Sequence, residues 1–367
     1  MIIAISILAA LFILELVFTL FLTLGWLNVK ETNFSGEENE LQNVSVIIPF
    51  KDEAQNIPYL LQSISYRNLE GVELIFVDDN SSDGSAEMIS NYFKVIPSLG
   101  HGKKAALKTG IEKANHQWIW QLDADVLLPN NFFQCIRCAI TRRPEAKVLG
   151  GPVRFSTQDS LWNYTLATEF ASLIGSSISF LGFKMPIMLN GASLGYKKDL
   201  WLEYFGQENL SIASGDDVFL AHYAVSNYGR NSVGYLKNRA MVVSTVPPQN
   251  IKEFVGQRVR WASKSTNYTY APAIITSWFI GLSQVPIVLG VLASVIFTDL
   301  LGYVLLYWMA KVVLNTLYLA LPLRLLGQIS LLPYGLLVGF FYPFYVMYIG
   351  LRSLKGGYQW KEVTYHR

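Results

Sequence analysis

The chain has 367 residues, 51% hydrophobic and only 15% charged, a balance that leans toward a membrane protein and leaves room for about two domains. A formal net charge of +2, without a basic stripe interleaved with aromatics, argues against a nucleic-acid partner. The two cysteines, Cys135 and Cys138, lack the second pair a zinc site would need, and their i, i+3 spacing fits one buried helix face.

Residues 1–27 are apolar, with no basic n-region and no A-x-A cleavage site, so they read as an uncleaved transmembrane anchor. Their length suffices, since a spanning helix needs about 20 residues. Residues 28–43 are polar and aperiodic, a linker. Two β-branched runs follow, Val44–Phe50 and Val72–Asn80, with helical apolar spacing between them over Asn56–Tyr66. After the second run, Ser82 or Asp83 is placed to cap a helix. This strand–helix alternation predicts an α/β fold with a mostly parallel sheet covered on both faces.

The stretch Gly100–Gly110 is a glycine-bracketed basic loop that runs into a helix. Lys103 or Lys104 could there neutralise a phosphate beside the helix amino-terminus. It is not a Walker loop, and no G-x-G-x-x-G follows the first strand, so P-loop and dinucleotide readings fall. The aromatic run from Trp118 to Pro129 then reads as a third buried strand carrying Asp123 and Asp125 at its end. Each strand thus delivers a polar tip to one sheet edge: Lys51, Asp52 and Glu53, then Asp78 and Asp79, then Asp123 and Asp125. Open α/β sheets bind ligands at that edge. Paired hard oxygen donors suit Mg²⁺ or Mn²⁺; an isolated D-x-D is more often a strand-to-turn acid pair capping the next helix, and it is the neighbouring polar tips that favour the metal reading here.

Residues 158–189 are aromatic and leucine-rich but too polar to span, and fit either an interfacial amphipathic segment or ordinary core. Gly215-Asp216-Asp217 reads on its own as a helix amino-cap. Gln257, Arg260 and Trp261, at i, i+3 and i+4, read as one face of an interfacial helix. His101 and His222 are assigned to solvent or packing, and Asn163-Tyr164-Thr165 to a chance glycosylation match.

Three further apolar stretches, Ala271–Phe297, Leu300–Leu321 and Ile329–Leu351, predict carboxy-terminal spans, with Trp278 and Trp308 as candidate interface anchors, Trp308 lying rather deep for that role. Glu15 and Lys311 lie mid-span, where an isolated charge is expensive; either they face each other between packed helices, or each reaches its own pocket water or a nearby hydroxyl. Lys252, Arg258, Arg260 and Lys264 place the middle domain in the cytoplasm by the positive-inside bias. Three full crossings would then leave Arg352, Lys355, Lys361 and Arg367 outside. Gln284 and Pro286 mark Ala271–Phe297 as the segment able to re-enter instead.

Taken together, VIIPFKDEAQNI, VDDNSSDGS, GHGKKAALKTG and QLDADV resemble the successive nucleotide-sugar motifs of family 2 glycosyltransferases with the GT-A fold. SGDDVFL resembles that family's E-D motif. QRVRW matches the Q-x-x-R-W of its membrane-bound members: cellulose, hyaluronan and poly-N-acetylglucosamine synthases and ceramide glucosyltransferases. The resemblance covers about residues 44–265 and implies a cytoplasmic GT-A domain there, membrane helices over 266–352 and a basic tail, 353–367. By the same resemblance Glu53 (or Asp52) and Asp79 would hold the ribose and uracil of a UDP-sugar. Lys103 would lie by the diphosphate, and Asp123 and Asp125 would carry Mg²⁺ or Mn²⁺. Asp217 would be the base, with Asp216 where glutamate is usual. Gln257, Arg260 and Trp261 would serve the acceptor and diphosphate, with the loop around Gly191 beneath the acceptor.

The expected protein is therefore an inverting glycosyltransferase of a bacterial inner membrane, acting on a lipid or lipid-linked acceptor. A processive polysaccharide synthase subunit is the alternative, and an inactive membrane scaffold a third of another class.

Overall fold

The computed structural model describes residues 2–34, 41–65, 67–206, 216–354, 358–360 and 363–365. In chain order the first elements are α1 (Ile2–Asn28), β1 (Val44–Phe50), α2 (Ile57–Ser65), β2 (Val72–Asp78), α3 (Ser85–Ser90), β3 (Val95–Pro97) and α4 (Lys103–Lys113). Next come β4 (Trp118–Leu122), β5 (Val126–Leu127), α5 (Phe132–Thr141), β6 (Val148–Gly150), β7 (Val153–Phe155), α6 (Leu161–Gly182) and β8 (Ser193–Lys197). Then follow α7 (Lys198–Gly206), α8 (Asp216–Tyr228), β9 (Val233–Tyr235), β10 (Val243–Thr245) and α9 (Ile251–Ser263). The last helices are α10 (Ala271–Leu282), α11 (Val285–Ala293), α12 (Leu300–Leu325) and α13 (Tyr334–Leu354).

Two compact units result. A sheet unit comprises Val29–Ser156 and Met188–Val246, and a helical unit comprises Met1–Asn28, Thr157–Ile187 and Pro247–Arg367. Helices α6 and α9, which lie within residues 44–265, group with the apolar helices.

In the sheet unit the main sheet has the order β3-β2-β1-β4-β8-β6-β9. Strands β3, β2, β1 and β4 run parallel, whereas β8 is antiparallel to both of its neighbours, β4 and β6. The fully buried runs VSVIIPF and WIWQL explain the central placing of β1 and β4, since only strands covered on both faces read as unbroken apolar sequence. A second sheet, β5-β10-β7, pairs Val126 with Thr245 just beyond the end of β4. Cys135 and Cys138 lie buried on α5, and burial pushes the Cys135 thiol up to about 11, as expected of core residues. The expected cap of α3 is shifted by one residue: Gly84 holds the cap position with a left-handed backbone, and Asp83 accepts from the Ser85 N–H at 3.0 Å.

Among the described residues the helical unit has four helices long and apolar enough to cross a membrane: α1, α10 with α11, α12 and α13. Helix α6 is its packed centre and not a surface-lying segment, since most side chains from Leu166 to Leu181 are buried. Its Ser, Thr and Glu content made it too polar to read as a span. Helices α1 and α6 cross so closely that a Cβ on Gly25 would lie 2.1 Å from the Ser179 carbonyl oxygen, so small residues set this contact.

Glu15 and Lys311, 5% and 4% exposed, meet, with Lys311 Nζ donating to Glu15 Oε1 at 2.7 Å. Lys311 also donates to the Ser283 carbonyl at 3.0 Å. That carbonyl sits where α10 gives way to α11, because Pro286 has no N–H for Leu282 and the next amides turn back to Gln284. The lysine therefore satisfies a backbone acceptor that the break frees. Trp308 departs from the anchor role: it is buried and stacked on Phe340, while Trp278 is exposed. Two cations counted as flanking charges, Arg258 and Lys264, are buried as well.

Candidate active site

The parallel strands bring their carboxyl ends to one edge of the sheet unit. Phe50 of β1 pairs with Asp78 of β2, and Ile47 with Gln121 of β4, so the loops after all three strands leave together. Because β8 runs the other way, Leu122 pairs with Ser193, and the Asn190–Gly191 segment arrives at the same edge.

The first two loops are laced to each other. Asp52 Oδ1 accepts from the Ser82 N–H at 2.8 Å, and the Glu53 N–H donates to Ser85 Oγ at 2.9 Å. Asp52 and Asn80 both hold left-handed backbones, φ 51° and 59°, a conformation that short polar residues tolerate best. Such rarely populated backbones concentrate at functional sites. Glu53 accepts from Asn56 at 2.7 Å, which fixes its carboxylate at the start of α2.

Asp79 is buried, and both of its carboxylate oxygens accept from the Gly102 N–H, at 2.8 and 2.9 Å. Gly102 can turn its amide there because its φ of 87° is open to glycine. Burial raises the Asp79 carboxyl above its ordinary range, and the Gly102 N–H opposes this. The next residue, Lys103, opens α4 and forms an ion pair with Asp123.

Asp125 is the most perturbed acid at this edge. It keeps some surface exposure, yet loss of hydration, then Asp123, push its carboxyl up to about 7. Glu53 adds to the rise, while Thr245 and Lys103 oppose it. Thr245 Oγ1 donates to Asp125 Oδ2 at 2.8 Å. Asp123 and Asp125 are like-charged hard oxygen donors just past the end of β4, with Glu53 adding negative charge, and their repulsion is what a hard divalent cation would relieve, so the two fit such an ion. No group of three or more metal-binding side chains is found among the described residues, so an ion on Asp123 and Asp125 would need phosphate and water to complete its shell.

Asp217 lies in the first turn of α8, and its Oδ2 accepts from the Gly191 N–H at 3.1 Å. The Gly191 carbonyl in turn accepts from Gln121 Nε2 at 2.9 Å, so a buried residue of β4 ties this loop to the Asp123 strand. Asp216 begins α8, but its side chain lies outside the described residues, as do Ser214 and Gly215. The sheet unit thus gathers Asp52, Glu53, Asp79, Lys103, Asp123, Asp125, Gly191 and Asp217 about the ends of β1, β2 and β4. Thr245, which stands in no motif, and Gln121, the first residue of QLDADV, belong with them. Gln257, Arg260 and Trp261 lie on α9 of the helical unit, where Trp261 packs 6.1 Å from Phe170 between ring centroids.

Residues 45–201 match the family model of Glycosyl transferase family 2. A poly-beta-1,6-N-acetyl-D-glucosamine synthase of Staphylococcus epidermidis is 24% identical over 159 residues, 40% of this chain and 39% of that protein. An undecaprenyl-phosphate 4-deoxy-4-formamido-L-arabinose transferase of Yersinia enterocolitica is 29% identical over 149 residues, 38% of this chain and 45% of that one. The chain therefore spans less than half the length of these curated relatives. Among solved structures, the mannosyltransferase PcManGT of Pyrobaculum calidifontis, in complex with GDP-mannose and Mn²⁺, superposes with a TM-score of 0.54. The identity is 16%, and the match covers 95% of this chain and 98% of that one. The chain carries a family 2 glycosyltransferase domain with the GT-A fold.

Proposed function

We propose, on the premise that residues 45–201 are a family 2 glycosyltransferase domain, that this protein transfers a sugar from a nucleotide-sugar, a UDP-sugar first, to a hydroxyl of a lipid or lipid-linked acceptor. The observation that supports it most is the gathering of Asp79, Lys103, Asp123 and Asp125 beside Asp217 and Gly191 at one sheet edge.

The chemistry asks for a base on the acceptor and a stable leaving group on the donor. Asp217 is the base, held by the Gly191 N–H and the α8 amino-terminus, and such bases typically contribute about 10²–10⁴-fold. Asp52, Glu53 and Asp79 hold the nucleoside, and Lys103 sits by the diphosphate. Asp123 and Asp125 would hold Mg²⁺ or Mn²⁺, which when bound supplies positive charge against the diphosphate. Gln257, Arg260 and Trp261 serve the acceptor and diphosphate, Arg260 as a planar fork of donors suited to phosphate. With one base and no nucleophilic partner carboxylate in the scheme, the reaction is a single displacement with inversion through an oxocarbenium-like transition state.

The four apolar helices support a membrane location, and Lys252 and Arg260 beside them support a cytoplasmic catalytic domain in a bacterial inner membrane. A processive polysaccharide synthase subunit is the second reading, favoured by the similarity to a poly-N-acetylglucosamine synthase. Four helices offer little wall for a polymer channel, so a lipid acceptor is preferred. The laced carboxylate edge weighs against an inactive scaffold. Membranes incubated with labelled UDP-sugars and GDP-mannose, then extracted with organic solvent, separate the readings. Label in the solvent phase supports a lipid acceptor, label in high-mass polymer the synthase, and no transfer the scaffold.

A further inference from the structure

Arg258, the second residue of Gln257-Arg258-Val259-Arg260-Trp261, was counted from sequence as a flanking charge. It is instead 3% exposed and salt-bridged to Glu169 of α6, itself 5% exposed. The contact is two-pronged: Arg258 Nε donates to Glu169 Oε1 at 3.1 Å, and a terminal nitrogen donates to Oε2. Glu169 Oε1 also accepts from the Tyr345 hydroxyl of α13 at 3.0 Å. The guanidinium lies over two rings, 4.8 Å from the centroid of Phe254 and 4.4 Å from that of Trp261. Its other terminal nitrogen donates to Gln257 Oε1.

One buried side chain thus touches two of the three motif residues, Gln257 and Trp261, and is anchored on two other helices. A buried ion pair is poor evidence for stability, because apolar residues of similar volume do as well or better. A planar fork, however, fixes direction as well as distance. The direction matters for Gln257. Arg258 can only donate, so the amide oxygen must face it, and the Gln257 Nε2 group turns its two N–H donors away from the pair. A donor pair suits a phosphate oxygen or a sugar hydroxyl. Since Glu169 cancels the Arg258 charge, the positive charge of the motif is left to Arg260.

We propose that Glu169 and Arg258 are positioning residues for sugar transfer: their buried fork sets the Gln257 amide as a donor and fixes the Trp261 ring. This rests on the sugar-transfer reading above.

The test uses the full-length protein in detergent with labelled donor and extractable acceptor, following kcat, donor KM, acceptor KM and thermal unfolding. Arg258→Lys keeps the charge and loses the fork, and should lower kcat about tenfold or more while the protein still folds, since a misplacement of about 1 Å caused by a mutation away from the chemistry can cost about 10²-fold. Glu169→Leu with Arg258→Met fills the site with apolar atoms and should fold as the wild type does while losing kcat to at least the same extent. Gln257→Glu keeps an oxygen toward Arg258 but exchanges the outward donors for an acceptor, and should raise acceptor KM or lower kcat with unfolding unchanged. Wild-type kcat in the double variant, or in Arg258→Lys, would overturn the positioning role while leaving sugar transfer intact. Loss of kcat in Arg258→Lys that is matched by loss of the folded protein in thermal unfolding, with wild-type kcat in the double variant, would also overturn it. A wild type that transfers no sugar defeats both readings together.

Discussion

The two units treat recessed carboxylates in opposite ways. In the helical unit Glu15 and Glu169 are each closed off by a cation, Lys311 and Arg258, and Glu169 also accepts from the Tyr345 hydroxyl. At the edge of the sheet unit Asp125 lies beside two more acids, Asp123 and Glu53, and its carboxyl rises to about 7. The first arrangement is neutral in itself and holds helices together. The second concentrates negative charge, opposed by Lys103 and the Thr245 hydroxyl, and is suited to a cation or phosphate chemistry brought from outside.

Substitutions that respect this contrast should part activity from stability. The largest effect is expected at the sheet edge: Asp217→Asn should cut kcat by about 10²–10⁴-fold with thermal unfolding unchanged. Retained activity there, with loss in Asp216→Asn, would move the base by one residue. The converse holds in the helices. Lys311→Met leaves Glu15 buried without its cation and should destabilise the protein by about 3–5 kcal/mol in detergent unfolding. Glu15→Leu combined with Lys311→Met should recover most of that loss, and failure to recover would mean the pair does more than close a charge.

The raised Asp125 carboxyl sharpens the comparison through pH. Its folded value lies above its unfolded one, so the native state holds a proton that the unfolded chain has released. Stability without divalent metal should therefore fall as pH rises from about 4 to about 7, by up to about 1.4 kcal/mol per unit, and level off above. Asp125→Asn should flatten the slope, which melting curves across that range would read. The smallest effect is expected for Thr245→Val, which removes one hydroxyl donor to Asp125. Outer partners of metal ligands are typically worth about 10–100-fold in affinity, and a loss near the lower end is expected in Mn²⁺ titration.

Much of the sheet unit was legible because each buried β-branched run is followed at once by its polar tip, so strand and site residue are neighbours in sequence. The Glu15–Lys311 pair was legible for a related reason: a lone charge in an apolar helix has few places to go. Thr245 was not, since it meets Asp125 across 120 residues and stands in no motif. Gln121 looked like one more residue of a buried strand. Arg258 was misread because arginine beside apolar helices is ordinarily solvated, and only three-dimensional packing reveals Glu169 opposite it. Helix α6 hid for the complementary reason, its interior carrying serines, threonines and a glutamate that other helices satisfy.

The most direct measurement follows labelled sugar from a panel of nucleotide-sugars into extractable lipid, with wild-type and Asp217→Asn membranes side by side. The account expects solvent-soluble product from the wild type and about 10²-fold less, or none, from the variant. Equal product from both membranes would contradict it.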